Sequence, residues 1–364
     1  MIWEFLYTGL VAMAAAMFAS WLILVTRKMH GEYSLDHDTK GVQKYHTVAV
    51  PRIGGIALFT GLAVGSIFHG LQADDQLHLS KWAGVAALPV FLGGLVEDVS
   101  KKMSARDRLL LAFLSAAIGY YELGIGLHSV GWEAFDQRFL GQPGASLILT
   151  LVMVGGVAHS TNIIDGFHGL LIGVALLVLG AFLWVMIKVN EHLLVIYTMI
   201  LFGSLAGIFI FNFPKGKLFL GDGGAYLIGF LLAVLALLLV NRHPRISPWF
   251  PLLVMAYPVV ETIFSIIRKK IFERRQAMAP DEKHLHMLVF ERLSAPIGRT
   301  IHLNQNAVTS VVMWLVALVS IVPGVLFWDN TVACLVAFCG FCFFYTFLYI
   351  SLSSGGKKFD QKVT

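Results

Sequence analysis

Apolar stretches recur from one end of this chain to the other, each closed off by charged or Gly/Pro-rich sequence. A helix of about twenty such residues spans the hydrocarbon core of a bilayer. Eleven segments can be drawn, at approximately 5–26, 53–69, 82–96, 108–121, 145–160, 168–187, 192–211, 223–240, 249–267, 308–327 and 331–350. Lipid satisfies no exposed strand edge, so the expected fold is an all-α polytopic membrane protein with about 11 transmembrane helices. With 57% hydrophobic and 13% charged residues over 364 positions, an ordinary soluble domain is excluded. Cys334, Cys339 and Cys342 share one apolar run, which makes them packing or lipid-facing residues rather than a disulfide framework.

Placement of charge predicts orientation. When the loops are assigned alternately to two sides, 22 of the 27 Lys and Arg residues fall on one side and five on the other. The basic side is therefore expected to be cytoplasmic, with the N-terminus outside and the C-terminus inside. The net charge of +5 is accounted for by this topology signal and calls for no nucleic acid. Residues 1–350 read as one transmembrane catalytic domain with cytoplasmic loops at about 27–52, 97–108, 160–168, 212–224 and 268–305. Residues 351–364 read as a disordered tail.

The same partition places every unusual polar sequence on the cytoplasmic side. In "GLVEDVSKK", Glu97 and Asp98 are adjacent carboxylates at the end of an apolar segment, suited to a divalent ion or a phosphate nucleophile and equally to an interfacial cap. In "NIIDGFHGL", Asn162 and Asp165 supply hard oxygen ligands three residues apart, and His168 follows. In "FPKGKLFLGDGGAY", Asp222 opens a helix among glycines, where backbone amides are expected to receive phosphate oxygens, with Lys215 and Phe219 just upstream. In "PDEKHLHMLVF", His284 and His286 lie two apart and share a face only if the chain is extended there. Lys44, His46 and Arg52 in "KYHTVAVPRIGG" add cations beside a Gly54-Gly55 pair. This inventory suits a phosphate-rich soluble substrate with Mg²⁺, brought to a second substrate that is a lipid.

Taken in order, these motifs resemble the polyprenyl-phosphate N-acetylhexosamine-1-phosphate transferases over essentially the whole chain. The Glu-Asp form of the acidic pair looks most like the O-antigen-initiating branch. The resemblance implies a bacterial inner-membrane enzyme with its site facing the cytoplasm. Its undecaprenyl phosphate substrate would attack a UDP-N-acetyl amino sugar, giving undecaprenyl-diphospho-sugar and UMP. It implies Mg²⁺ as cofactor, admits Mn²⁺ as a substitute, and admits a homodimer.

Residue by residue, it casts Asp98 as the carboxylate that activates the lipid phosphate, with Glu97 where Asp is usual. Asn162 and Asp222 are implied at the Mg²⁺-diphosphate site, Phe219 against uracil, and His284 and His286 on the diphosphate. Beside these, Lys44, His46, Arg52, Asp165, His168 and Lys215 are expected in substrate binding. Met287 stands where many relatives have a further histidine, and His159 where Asn is common. A transporter of nucleotide sugars or lipid-linked sugars is the rival reading, favoured by the number of spans and opposed by polar motifs gathered at one face.

Overall fold

The computed structural model describes residues 2–34, 50–71, 77–274, 276, 281, 283–294, 297 and 304–354. Among them there are helices and no strand. The long elements are α1 (Ile2–Val25), α2 (Arg27–Ser34), α3 (Gly54–Gly70), α4 (Leu77–Ser100), α5 (Ala105–Leu123), α6 (Pro143–Ile163), α7 (Leu170–Lys188), α8 (His192–Asn212) and α9 (Gly221–Arg242). Then come α10 (Trp249–Val254), α11 (Ala256–Ile267), α12 (Leu285–Val289), α13 (Gln305–Leu326) and α14 (Thr331–Ser354). Eight of these are long and apolar enough to cross a membrane, and Gly54–Gly70 is a shorter apolar helix. The protein is an all-α, multi-pass membrane protein.

All eleven expected segments fall on helices, but three boundaries move in ways that matter. Helix α4 continues to Ser100, so Glu97 and Asp98 lie in its last turn and not in a loop. Asn162 likewise lies in the last turn of α6, and Asp222 in the first turn of α9. The segment 249–267 is broken at Met255 into α10 and α11, with Pro258 tolerated in the first turn of the second piece, where a missing N–H costs no intrahelical bond. The expected tail begins inside a helix, since α14 runs to Ser354. Residues 355–364 lie outside the described residues.

Local chemistry explains the ends. Helix α5 opens with a reciprocal cap, in which the Asp107 amide donates to the Ser104 hydroxyl at 3.2 Å and the Ser104 amide to the Asp107 carboxylate at 3.3 Å. It closes at Gly124 in the left-handed region. In α4, Pro89 interrupts the helical ladder, and the Val90 amide donates to Ser115 Oγ of α5 at 3.0 Å. Helix α9 is the axis of the fold, buried along nearly its whole length and packed on α4 and α6. Its N-terminus therefore sits where several helix ends converge.

Candidate active site

The floor of the site is built from glycines and one carboxylate. The segment around Pro51 pairs with the turn before α9, with Phe219 N donating to Pro51 O at 2.9 Å, Gly54 N to Phe219 O at 2.9 Å and Gly55 N to Leu220 O at 2.8 Å. Helix α4 crosses so closely that a Cβ on Gly94 would fall on the backbone of Asp222 and Gly223. Gly221 turns the chain at φ 72°, and a Cβ there would meet the Arg52 carbonyl and the Asp98 carboxylate. Asp98 fills the remaining space. Its Oδ1 accepts from the Asp222 amide at 2.8 Å and its Oδ2 from the Gly223 amide at 2.9 Å, leaving it 2% exposed. The amides expected to take phosphate oxygens are thus capped by Asp98, a favourable place for a negative charge.

Glu97 is occupied too. Its Oε2 accepts from the Met103 amide at 2.7 Å, across a turn in which Lys101 is left-handed. The longer reach of Glu is what spans to that amide.

Asp222 is held by side chains instead of backbone. Arg108 ion-pairs with its Oδ2, Arg52 approaches Oδ1 at 3.5 Å, and Asn162 Nδ2 donates to Oδ1 at 3.1 Å. Arg108 also lies over the Tyr226 ring at 5.6 Å, and Tyr226 Oη is 2.8 Å from His159 Nδ1. The buried Arg108 Nε has no hydrogen-bond partner among the described residues. Half-buried Asp165 follows Asn162 by one turn, and burial pushes its carboxyl up to about 7 against the opposing charge of Arg52.

The opposite wall carries the histidines. His284 is extended and His286 is in the first turn of α12, so the two rings stack at 5.3 Å despite the helix that follows. His284 Nδ1 is 2.9 Å from Glu261 Oε1, and the Leu285 amide donates to both Glu261 oxygens at 3.2 Å. Asp281 accepts from Ser265 Oγ at 2.7 Å, from Arg268, and from the Lys283 amide at 3.0 Å. Burial works to raise its carboxyl, but His284, Ser265, the Lys283 amide and Arg268 outweigh that and hold it down at about 2. Burial pushes His286 down to about 4.

Between floor and wall lies a cavity of about 660 Å³, lined by Arg52, Glu97, Asp98, Asn162, Asp165, Phe219, Asp222, His284 and His286 among others. Nine expected residues are brought together. His168 is not among the lining residues. It lies beneath the turn before Phe219, with Nδ1 3.0 Å from Pro214 O and its ring 5.5 Å from Phe219, and burial lowers its pKa despite that carbonyl. Lys215 is exposed on the same turn and does not line the cavity either. Lys44 and His46 lie outside the described residues.

Four participants escaped the sequence reading. Arg108 and Asp281 were hidden among ordinary loop charges, and Asn212 ties two loops together, accepting from the Gly169 amide at 2.5 Å and donating to Leu218 O at 2.6 Å. Glu261 carried a signal that could have found it, being a lone acid inside an apolar segment.

One flank of the cavity is apolar and open. Leu109, Phe113, Val152, Gly156 and Ile266 line it from α5, α6 and α11, and Val152 and Ile266 are 56% and 37% exposed. Asp222, Asp165 and the Asn162 carboxamide make an oxygen-only donor set that suits a hard cation. No cluster of three His, Cys, Asp or Glu that could hold a metal by itself exists among the described residues. Mg²⁺ is a hard cation of the kind such a donor set suits, taking one or two carboxylates and completing its shell with substrate phosphates and water.

Residues 81–240, which carry Glu97, Asp98, Asn162, Asp165 and Asp222, match the profile of glycosyl transferase family 4. A probable undecaprenyl-phosphate N-acetylglucosaminyl 1-phosphate transferase of Bacillus subtilis (strain 168) is 27% identical over 254 residues, covering 68% of each chain. An undecaprenyl-phosphate alpha-N-acetylglucosaminyl 1-phosphate transferase of Yersinia pestis is 28% identical over 297 residues, covering 79% of this chain and 76% of that one. A decaprenyl-phosphate N-acetylglucosaminephosphotransferase of Mycobacterium leprae (strain TN) is 24% identical over 343 residues, covering 85% and 81%.

Proposed function

We propose that this chain, which is similar to glycosyl transferase family 4 over residues 81–240 and to undecaprenyl- and decaprenyl-phosphate N-acetylglucosaminyl 1-phosphate transferases over most of its length, transfers an N-acetylhexosamine 1-phosphate from a UDP-sugar to undecaprenyl phosphate, as a first step of surface-polysaccharide synthesis. The site would face the cytoplasm from a bacterial inner membrane. One observation carries this reading. A single cavity has carboxylates, arginines and histidines at one end and an apolar flank open to lipid at the other. A water-soluble diphosphate and a lipid phosphate can meet only in such a place.

In this reaction an oxygen of the lipid phosphate forms a bond to the β-phosphorus of the donor as the bond to the bridging oxygen breaks, and UMP leaves with that oxygen. The acceptor needs little help from a base, since a phosphate monoester has a second pKa of about 6 and is largely dianionic at neutral pH. Asp98 then serves chiefly by holding the start of α9, and so Asp222, in place. Asp222 and Asn162, with Asp165 beside them, would hold Mg²⁺, which when bound neutralises charge on the diphosphate. Arg52 and the His284–His286 pair face the same space and offer N–H donors to phosphate oxygens. Phe219 lines the cavity but is only 4% exposed, so a uracil would meet an edge of its ring and not an open face.

N-acetylglucosamine is named for all three relatives, which makes UDP-N-acetylglucosamine the first donor to test. UDP-N-acetylgalactosamine and a UDP-linked 6-deoxy N-acetylhexosamine follow, given the resemblance to the O-antigen-initiating branch. Purified protein in detergent should release UMP from one of them only when undecaprenyl phosphate and Mg²⁺ are present. Lipid-independent release, or none with any donor, overturns the reading.

A further inference from the structure

The histidine wall depends on a carboxylate that comes from inside the membrane. Glu261 belongs to α11, the second half of the broken span, and is 1% exposed. Burying an ionised carboxylate is costly unless its oxygens are satisfied. Here they are. Oε1 takes the His284 Nδ1–H at 2.9 Å, and both oxygens take the Leu285 amide at 3.2 Å. Tyr257, one turn earlier on the same helix and fully buried, approaches His286 Nδ1 at 3.2 Å.

These contacts fix which nitrogens carry protons. His284 donates from Nδ1 to a carboxylate, so its Nε2 edge turns away from Glu261, toward Asp281 at 3.7 Å and the cavity. A buried phenol needs an acceptor, and His286 Nδ1 supplies one, which puts the His286 proton on Nε2. That Nε2 is buried and has no hydrogen-bond partner among the described residues, in a residue that belongs to the cavity wall. An unsatisfied buried donor at a cavity wall is one waiting for an acceptor.

We propose that Glu261, with Tyr257, is a positioning residue that holds the stacked His284–His286 pair in the cavity wall so that the Nε2 edge of His284 is turned to the diphosphate of the donor. The break at Met255 is what makes this work. It separates α10 from α11, the helix that carries Tyr257 and Glu261 to the two histidines. This inference rests on the reading of the cavity as a sugar-nucleotide site, and it extends that reading to a residue that touches no substrate.

The test uses the full chain in lipid nanodiscs, with UDP affinity by calorimetry and steady-state transfer measured on the same samples. Glu261→Gln keeps the side-chain volume but presents an amide N–H₂ or a single oxygen where two charged oxygens stood. It should weaken UDP binding and raise the donor KM by about tenfold, the effect of losing one charge-assisted hydrogen bond, with kcat changing much less. In a His284→Ala background the same substitution should have no further effect on UDP affinity, because the two residues act as one unit. Wild-type affinity in Glu261→Gln, or losses that simply add, overturns the proposal. If that variant fails to fold, Tyr257→Phe decides, since it removes a single hydroxyl from a packed ring. A severalfold loss of UDP affinity supports the proposal and an unchanged affinity overturns it. A wild type that binds UDP but transfers nothing overturns the reaction proposed above while the binding arm still decides this one. A wild type that binds no UDP overturns both.

Discussion

The floor of the cavity and its histidine wall each hold a buried carboxylate, and they hold it in opposite ways. Asp98 gives both oxygens to the backbone amides of Asp222 and Gly223, in a place where Gly94 and Gly221 leave no room for a methyl group. Glu261 gives its oxygens to an imidazole and one amide. The floor is therefore defined by shape and the wall by charge. Asp222 stands between them, rooted in the floor by its backbone but gripped at its carboxylate by Arg108, Arg52 and Asn162, all of which can let go. A rigid floor carrying one exchangeable carboxylate is what a site needs if it must accept a highly charged ligand without rebuilding itself.

Substitutions that separate shape from charge sharpen this contrast. The largest effect is expected from Gly94→Ala, whose new methyl meets backbone that has nowhere to move. It should cost about 3 kcal/mol of stability and, by displacing the start of α9, at least about a hundredfold in transfer. Near-normal melting and turnover would show that the floor yields after all.

Next comes Asp222→Asn, expected to lower transfer at least about a hundredfold through loss of the exchangeable charge. It also strands Arg108. Adding Arg108→Met should recover melting temperature without recovering activity, because a buried cation without its partner is worse than an apolar side chain. Recovery of both, or of neither, would mean that the pair is not what links stability to function here.

Asp98→Asn should act mainly on stability, by about 1–3 kcal/mol, because an amide offers one acceptor oxygen to two buried donors. A full loss of transfer at unchanged stability would instead make Asp98 a participant in the chemistry.

The smallest effect concerns Asp165. Its carboxyl is held up to about 7 in the fold, against an ordinary value of 3.8. The folded chain therefore binds the proton more tightly than the unfolded one, and stability should fall as pH rises across that window. Asp165→Asn should flatten the slope of melting temperature against pH in metal-free protein and raise the melting point by a few degrees at pH 8. An unchanged slope would mean that Asp165 is better solvated than its place in the cavity suggests.

The all-α, multi-pass architecture was readable because length and apolarity decide it, and all eleven segments fell on helices, though one of them on two and only eight helices among the described residues are long and apolar enough to cross a membrane. The break at Met255 was not, since an apolar run with two prolines reads the same straight or broken. For the site, types and positions of residues were legible, as Asp98, Asn162, Asp165, Phe219, Asp222, His284 and His286 do converge. Their partners were not. Whether Asp98 faces a ligand or two amides depends on a crossing of α4 over α9 that no local pattern encodes. His168 and Lys215 are close in sequence to residues of the cavity, but a turn tied down by Asn212 points them elsewhere.

The open flank at Val152 and Ile266 has a kinetic consequence. A headgroup that reaches Asp222 from that side never crosses bulk water, so its encounter with the protein is a lateral collision within a sheet. The concentration that governs turnover is then the acceptor's mole fraction among surrounding amphiphiles. Diluting enzyme and acceptor together with empty micelles would slow the reaction even with every molarity held constant.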